Sequence, residues 1–329
     1  MTEIRHPQSS DQGELASLWS LRFGDSKAFI DWFFRERFSP AHSFCMTEDG
    51  RIAGVIHGWP MRLRIRGVPL PALMLCGVAT LPGYEKRGYM HALMRETLQF
   101  ARHNGFPLVF HKPNRFETYA SLGQFPCTRT LYHRIESGVS RPRFSDDWPV
   151  DALLAIYQAA SAPYSGCVLR DQSAMRIKLA DYYSDGARLI RQADGYAVLF
   201  EQEDGAWYGE EVLALHPAAY KTLLARLPSG TLAKLPPDLP FSGEIRPQNA
   251  MGAADIGALL RALSGDPSLV VSVSDPAVPQ NNGIFDGSGA ISTAEPQLCL
   301  SAGTLLQYLC GYAAYGPLHT ESCFCVDEY

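Results

Sequence analysis

The densest candidate for chemistry lies between Val78 and Met90, in the run Val-Ala-Thr-Leu-Pro-Gly-Tyr-Glu-Lys-Arg-Gly-Tyr-Met. It reads as the end of a buried strand, a short loop carrying Pro82 and Gly83, and a basic Lys86-Arg87-Gly88 step into a helix. The first N–H groups of a helix have no intrahelical partners, and the helix dipole is positive there. A phosphate-bearing ligand suits such an end. Gly88 allows a ligand close to the backbone. Lys86 and Arg87 add charge for a pyrophosphate or a 3′-phosphate. Other chemistries have weaker claims. No Ser-His-Asp order, zinc-like spacing or G-x-G-x-x-G stands out. The eight cysteines are scattered with no Cys-x-x-Cys pair. That pattern reads as free thiols in a reducing cytoplasm. Cys323-Phe-Cys325 lacks a His or Cys partner pair at zinc-like distance, so no metal is expected.

The elements that must position this loop follow from the hydrophobic periodicity. Residues 14–23 and 27–38 have helical apolar spacing. Residues 43–47 and 52–61 read as strands joined by an Asp49-Gly50 turn. A second turn, Arg66-Gly67, joins residues 62–65 to 68–70. Residues 73–80 are a nearly continuous apolar run, as expected of a strand buried on both faces. A helix follows from about Gly88 to Asn104, with Met90, Leu93, Met94, Leu98 and Ala101 on one face and Gly105 as its stop. Residues 106–111 are another buried strand. Helices, antiparallel strands and then strand–helix–strand predict an α/β or α+β sheet rather than a bundle.

At 329 residues the chain is too long for one ordinary core. Ser-, Pro- and charge-rich residues 137–149 and Pro-rich residues 235–249 read as linkers. They divide the chain into residues 1–137, 138–248 and 249–329. The net charge of −5 provides no basic field for nucleic acid. No run of about 18 apolar residues predicts a membrane span, and the N-terminus lacks an apolar signal core. A cytoplasmic protein is expected.

The run VATLPGYEKRGYMHALM resembles motif A of the GCN5-related N-acetyltransferases, with its strand, Arg/Gln-x-x-Gly-x-Gly/Ala loop and helix. Glu85 stands where Gln or Arg is usual, and Met90 where Gly or Ala is usual. A carboxylate there repels a pyrophosphate unless its side chain turns away. The segment NRFETYASLGQFP, from Asn114 to Pro126, resembles the corresponding segment of the Eis-like (enhanced intracellular survival) acetyltransferases. Those proteins join an acetyltransferase domain, a degenerate acetyltransferase-like domain and a C-terminal sterol-carrier-like domain. The three segments here are similar to that plan, most closely in the first.

The resemblance implies an acetyl-CoA-dependent N-acetyltransferase acting on a small-molecule or peptide amine (aminoglycoside-like, polyamine or lysine). It implies a homo-oligomer, a hexamer in the resembling proteins. It assigns acetyl-CoA contacts to Val78, Ala79, Thr80, Lys86, Arg87, Gly88, Tyr89, Met90 and Asn114. It makes Tyr119 the acid that protonates the leaving thiolate. The strand before the loop has no Glu, and in Eis-like enzymes the C-terminal carboxylate reaches the first domain. That of Tyr329 is therefore the candidate base. Glu328, Asp25 and Asp31 are candidates to attract a cationic acceptor. Trp32-Phe33-Phe34 can wall a pocket, or be core as aromatic stripes more often are. His111 can be a base or a strand-end histidine. The competing reading is a non-catalytic CoA- or lipid-binding protein that works through the sterol-carrier-like segment.

Overall fold

The computed structural model describes residues 2–314 and 318–327. The fold is mixed α/β. The early elements follow the periodicity closely: helices Gln12–Phe23 and Lys27–Glu36, strands Phe44–Glu48, Arg51–Ile65 and Val68–Thr80, helix Tyr89–His103, and strand Leu108–His111. The two stretches 52–61 and 62–65 join into one strand of 15 residues, Arg51–Ile65.

Among the described residues, the first sheet has eight strands. Its order runs Thr2–Arg5, Phe44–Glu48, Arg51–Ile65, Val68–Thr80, Leu108–His111, Ala250–Ala253, Gln124–Pro126, with Cys167–Val168 pairing separately on Arg51–Ile65. The pair Val68–Thr80 and Leu108–His111 is parallel, and helix Tyr89–His103 makes the crossover that a parallel pair requires. Alternation sends Leu73 and Leu75 to one face, against Leu93, Met94 and Leu98 of that helix. Ala72 and Met74 go to the other face, against Ile256–Leu263 and Ala302–Cys310. Both faces are covered, which is why the run reads as unbroken apolar residues.

Sheet membership crosses the linkers. Arg129–Arg134 precedes the first linker yet pairs with Leu232–Leu235 and Glu244–Pro247 in a six-stranded second sheet. Ala250–Ala253 follows the second linker yet lies between Leu108–His111 and Gln124–Pro126 in the first sheet. The two helices of the last segment spend their apolar faces on the first sheet. The remaining three-stranded sheet, centred on Val270–Ser274, extends that layer.

One irregularity shapes the site. His57 pairs with Cys76 and Val55 with Ala79, so Ile56 alone faces both Gly77 and Val78. This β-bulge bends the strand. Gly77 has φ +55°, a left-handed value that penalises a side chain. A Cβ there would lie 2.3 Å from the ring of Trp19. Replacing Gly77 by Ala therefore combines strain with overpacking. We expect destabilisation of about 3 kcal/mol, read as a fall of several degrees in apparent Tm by circular dichroism. An unchanged Tm would mean that the bulge and Trp19 yield freely.

Candidate active site

Backbone pairing between Val68–Thr80 and Leu108–His111 holds at Ala72–Leu108, Leu73–Val109 and Met74–Phe110, then stops. The longer strand continues through the bulge, so past Met74 it has no strand opposite on that side. A cavity of about 1170 Å³ opens there. Leu75, Cys76, Gly77 and Val78 form one wall, and His111, Asn114 and Tyr119 another. Trp19 and Asp25 come from the first helix and its following turn. The second sheet and its helix Gln172–Ser184 close the far side with Lys178, Asp181, Asp185, Glu201, Glu203 and Glu210.

Tyr119 sits on the short helix Glu117–Ala120. Its ring meets the His111 ring edge-to-face at 4.5 Å. Desolvation raises its pKa, so the hydroxyl keeps its proton. His111 is buried, and burial lowers its pKa to about 4 against the opposing hydrogen bond to Gln124. Its Nε2 lies 2.5 Å from Gln124 Oε1. The ring is neutral near pH 7, and that nitrogen is committed to a structural contact.

The acidic side is uneven. Asp25 accepts from Trp19 Nε1 at 2.6 Å. Lys178 pairs with Asp181 at 2.9 Å. Glu210 accepts from Lys234 Nζ at 2.7 and 2.8 Å, and burial, opposed by Glu210, brings that lysine down to about 7. Asp185 is raised to about 6, by desolvation first and then by repulsion from Asp25 and Asp181. The lining carboxylates outnumber the lining cations Arg22, Lys112, Arg115 and Lys178.

The loop before helix Tyr89–His103 is the second half of the site. Its cap, Gly88, has φ +81° and no side-chain hydrogen bond to the helix start. The first N–H groups are thus left for a ligand. Lys86 is exposed, at φ +62°. Arg87 is otherwise engaged: it bonds both Glu48 oxygens at 3.1 and 3.0 Å and the Gly83 carbonyl at 3.0 Å. Tyr89 also donates to Glu48, and Met90 packs half-buried against the core. Glu85 accepts from the Gly83 N–H at 2.7 Å and from Arg22 at 3.1 Å. Backbone hydrogen bonds, its own N–H and that of Gly83, and then Arg22 hold this carboxyl below the usual range. The donor set fits a diphosphate through the helix start and Lys86, with Arg87 serving the loop.

Residues 3–125 match the model of the acetyltransferase (GNAT) domain. Those residues carry an acetyltransferase (GNAT) domain. The whole chain is similar in fold to Eis1 from Mycobacterium abscessus, at 18% identity and TM-score 0.76, covering 100% of both chains. It is also similar to a probable N-acyltransferase from Enterococcus faecalis V583, at 17% identity and TM-score 0.77, covering 95% of this chain and 91% of that one. A GCN5-related N-acetyltransferase from Anabaena variabilis matches at 16% identity and TM-score 0.76, over 100% of both chains. No curated protein sequence matches. The matched domain class uses acetyl-CoA.

The GNAT cavity brings together Val78, Asn114, Tyr119 and Asp25 from the residues singled out in sequence. Ala79 and Thr80 continue the wall strand toward the loop, paired with Val55 and Gly54. Two of the other residues singled out lie elsewhere. Asp31 does not line the cavity; it sits on the outer face of its helix, 2.5 Å from Lys27. Trp32 is buried core, with Phe29 and Arg37 against its ring. Glu328 and Tyr329 lie outside the described residues. Sequence reading missed the second-domain carboxylates. The signal was present: Glu210-Glu211 interrupts an apolar strand, and Glu201-Gln202-Glu203-Asp204 forms an acidic hairpin tip. Among the described residues no helix is long and apolar enough to cross a membrane, and no group of His, Cys, Asp and Glu is arranged to hold a metal.

The Glu85 geometry generates a test. Glu85→Gln removes a negative charge from the loop while the first helical N–H groups remain. We expect CoA to bind roughly threefold tighter by calorimetry, with the gain shrinking at high salt. Weaker binding would mean that Glu85 holds the loop in its binding form.

Proposed function

We propose that the protein transfers the acetyl group of acetyl-CoA to a primary amine carried on a cationic acceptor, by direct attack. The observation that carries this is the joint construction of the cavity. The GNAT domain supplies the splayed strand and Tyr119, and the second domain supplies a wall of carboxylates. An ammonium group is drawn to that wall and must lose a proton before it attacks.

Acetyl-CoA supplies an activated acetyl carbon as its thioester. Backbone N–H groups around Val78 are the donors for negative charge developing on the thioester oxygen. The amine nitrogen forms the new C–N bond as the C–S bond breaks, and the bonding pair leaves on sulfur. Tyr119 gives its hydroxyl proton to that sulfur. The proton lost by the amine goes to a carboxylate, which we assign to the chain end at Tyr329. Support comes from Asp327, which is buried beside Glu211, the neighbour of cavity-lining Glu210. An α-carboxylate has an intrinsic pKa near 3.5, so its main task is to hold the ammonium or a water until the proton moves.

The reading is tested by following thiol release from acetyl-CoA with polyamines, aminoglycoside-type amines and lysine peptides. Turnover should favour polycationic amines. In Tyr119→Phe, kcat should fall about 100-fold with CoA affinity kept within about twofold. Absence of turnover with every amine would sink the enzyme–amine assignment.

Asp185 sets a pH dependence. Its carboxyl titrates at about 6, so it is charged above that pH and attracts an ammonium. As pH falls through 6 it neutralises and the attraction is lost. KM for a cationic acceptor should therefore rise below pH 6 in the native protein. In Asp185→Asn that step should disappear, with KM raised at pH 7.5. An unchanged pH profile in Asp185→Asn would assign the step to another group.

A further inference from the structure

Trp19 stands where the cavity meets an aromatic layer of the core. Its ring is 5% exposed and lines the cavity beside Phe29, Cys76 and Gly77. Behind it lie Phe33, at 4.4 Å between ring centroids, and His57, at 5.6 Å. Both are buried and neither lines the cavity. Ile30 and Phe34 extend the same layer. Burial lowers the pKa of His57 to about 3, so its ring adds no charge there.

Packing at this boundary is tight. A Cβ on residue 77 would lie 2.3 Å from Cζ3 and 2.8 Å from Cε3 of the Trp19 ring, so no atom fits between ring and strand. The indole is also held by its Nε1, which donates to Asp25 at 2.6 Å. Trp19 is therefore a fixed plug between the cavity and the aromatic layer. The two directions open to an alkyl chain in the cavity differ in polarity. Toward the second sheet stand Asp181, Asp185, Glu201, Glu203 and Glu210, and covering carboxylates with methylene groups costs their hydration. Toward the first two helices the wall is aromatic, with Trp19, Phe23 and Phe29. A chain directed that way ends at Trp19.

We propose that Trp19 determines acyl-chain length: it closes the apolar slot beside Gly77, so that a two-carbon acyl thioester is accepted and longer straight chains are rejected. This rests on the proposed placement of the thioester at the donors around Val78, the residue after Gly77. With its oxygen held there, its sulfur toward Tyr119 and the amine arriving from the carboxylates, the acyl chain is left the direction of Trp19. One methylene in an apolar pocket is worth about 10- to 200-fold in kcat/KM. Truncating a buried aromatic leaves a cavity that its neighbours fill only in part, and an apolar cavity takes up apolar ligands.

The test is a straight-chain series, acetyl-, butyryl- and hexanoyl-CoA with CoA as reference, on the native protein, Trp19→Ala and Trp19→Phe. Dissociation constants are read by calorimetry, and kcat/KM by thiol release with a polyamine; the affinities decide if no amine is turned over. In the native protein hexanoyl-CoA should bind no tighter than acetyl-CoA, and kcat/KM should fall about tenfold or more from acetyl to butyryl. In Trp19→Ala the preference should invert. Hexanoyl-CoA should bind about tenfold or more tighter than acetyl-CoA, since each buried methylene is worth about fourfold, while CoA affinity stays within about twofold of native. Trp19→Phe keeps a ring in the layer and serves if the alanine variant fails to fold. It should raise the butyryl-to-acetyl ratio of affinities about fourfold. The same acyl preference in the variants as in the native protein, with acetyl-CoA still bound, overturns the role of Trp19 and leaves acetyl transfer standing. A native protein that prefers hexanoyl-CoA also overturns it. No binding of CoA or acetyl-CoA to the native protein overturns the donor assignment, and the proposal with it.

Discussion

Past Met74 and Phe110 two parallel strands stop exchanging hydrogen bonds, one ending at His111 and the other running on to Thr80. Backbone groups left without a ladder partner inside a protein must find one elsewhere. A cavity that admits a peptide-like ligand satisfies this requirement. The bulge at Gly77 lies within the unpaired stretch, and its left-handed backbone brings Trp19 against the strand. Trp19 in turn holds Asp25 at the cavity edge. Tyr119 reaches the opposite wall because the chain leaves the shorter strand through His111 and turns back in a single helical turn. The position of each group thus follows from where one ladder ends.

The second sheet borders the cavity by charge rather than by backbone. Its strand Trp207–Ala214 carries two adjacent glutamates at a register shift. Glu211 is buried against Arg170, and Glu210 takes the buried Lys234. Buried charges survive only when paired and hydrogen-bonded. These pairs therefore tie the cavity wall to the second-domain core and, through Asp327, to the last segment of the chain. Removing one member of such a pair characteristically costs about 3–5 kcal/mol. Charge placement at the cavity and cohesion of the segments depend on the same residues.

Much of the first domain was legible because its signals are local. The apolar run 73–80, the Asp49-Gly50 turn and the one-face helix after Gly88 each specify an element without reference to the rest. The loop 82–88, Tyr119 and Asp25 were singled out through family resemblance, and Tyr119 and Asp25 line the cavity. The rest depends on distant contacts. Nothing local says that Ala250–Ala253 enters the first sheet, since that short strand is chosen by its neighbours 108–111 and 124–126. Asp31 and Trp32 lie away from the cavity for a related reason. Sequence proximity puts Asp25 and Asp31 in one neighbourhood, but only packing decides that Trp32 faces inward and Asp31 outward. The acidic wall comes from residues more than 150 positions along the chain from Asp25, and sequence spacing does not assemble it.

The departures from motif A make physical sense once the loop is seen to be internally satisfied. Glu85 is neutralised by Arg22 and by the Gly83 N–H. Arg87 is neutralised by Glu48 and bonded to the Gly83 carbonyl. The two side chains thus staple the loop from opposite sides, and its net contribution to a diphosphate site falls to Lys86 and the uncapped helix start. Backbone N–H groups fixed on a helix need no reorganisation to receive an anion, whereas free side chains must be ordered first. A carboxylate is tolerable at position 85 because an arginine from the first helix meets it. That arginine also lines the cavity. Glu85 therefore links the loop before helix Tyr89–His103 to the helix that borders the cavity, and the apparent defect in the motif becomes a connection between the two.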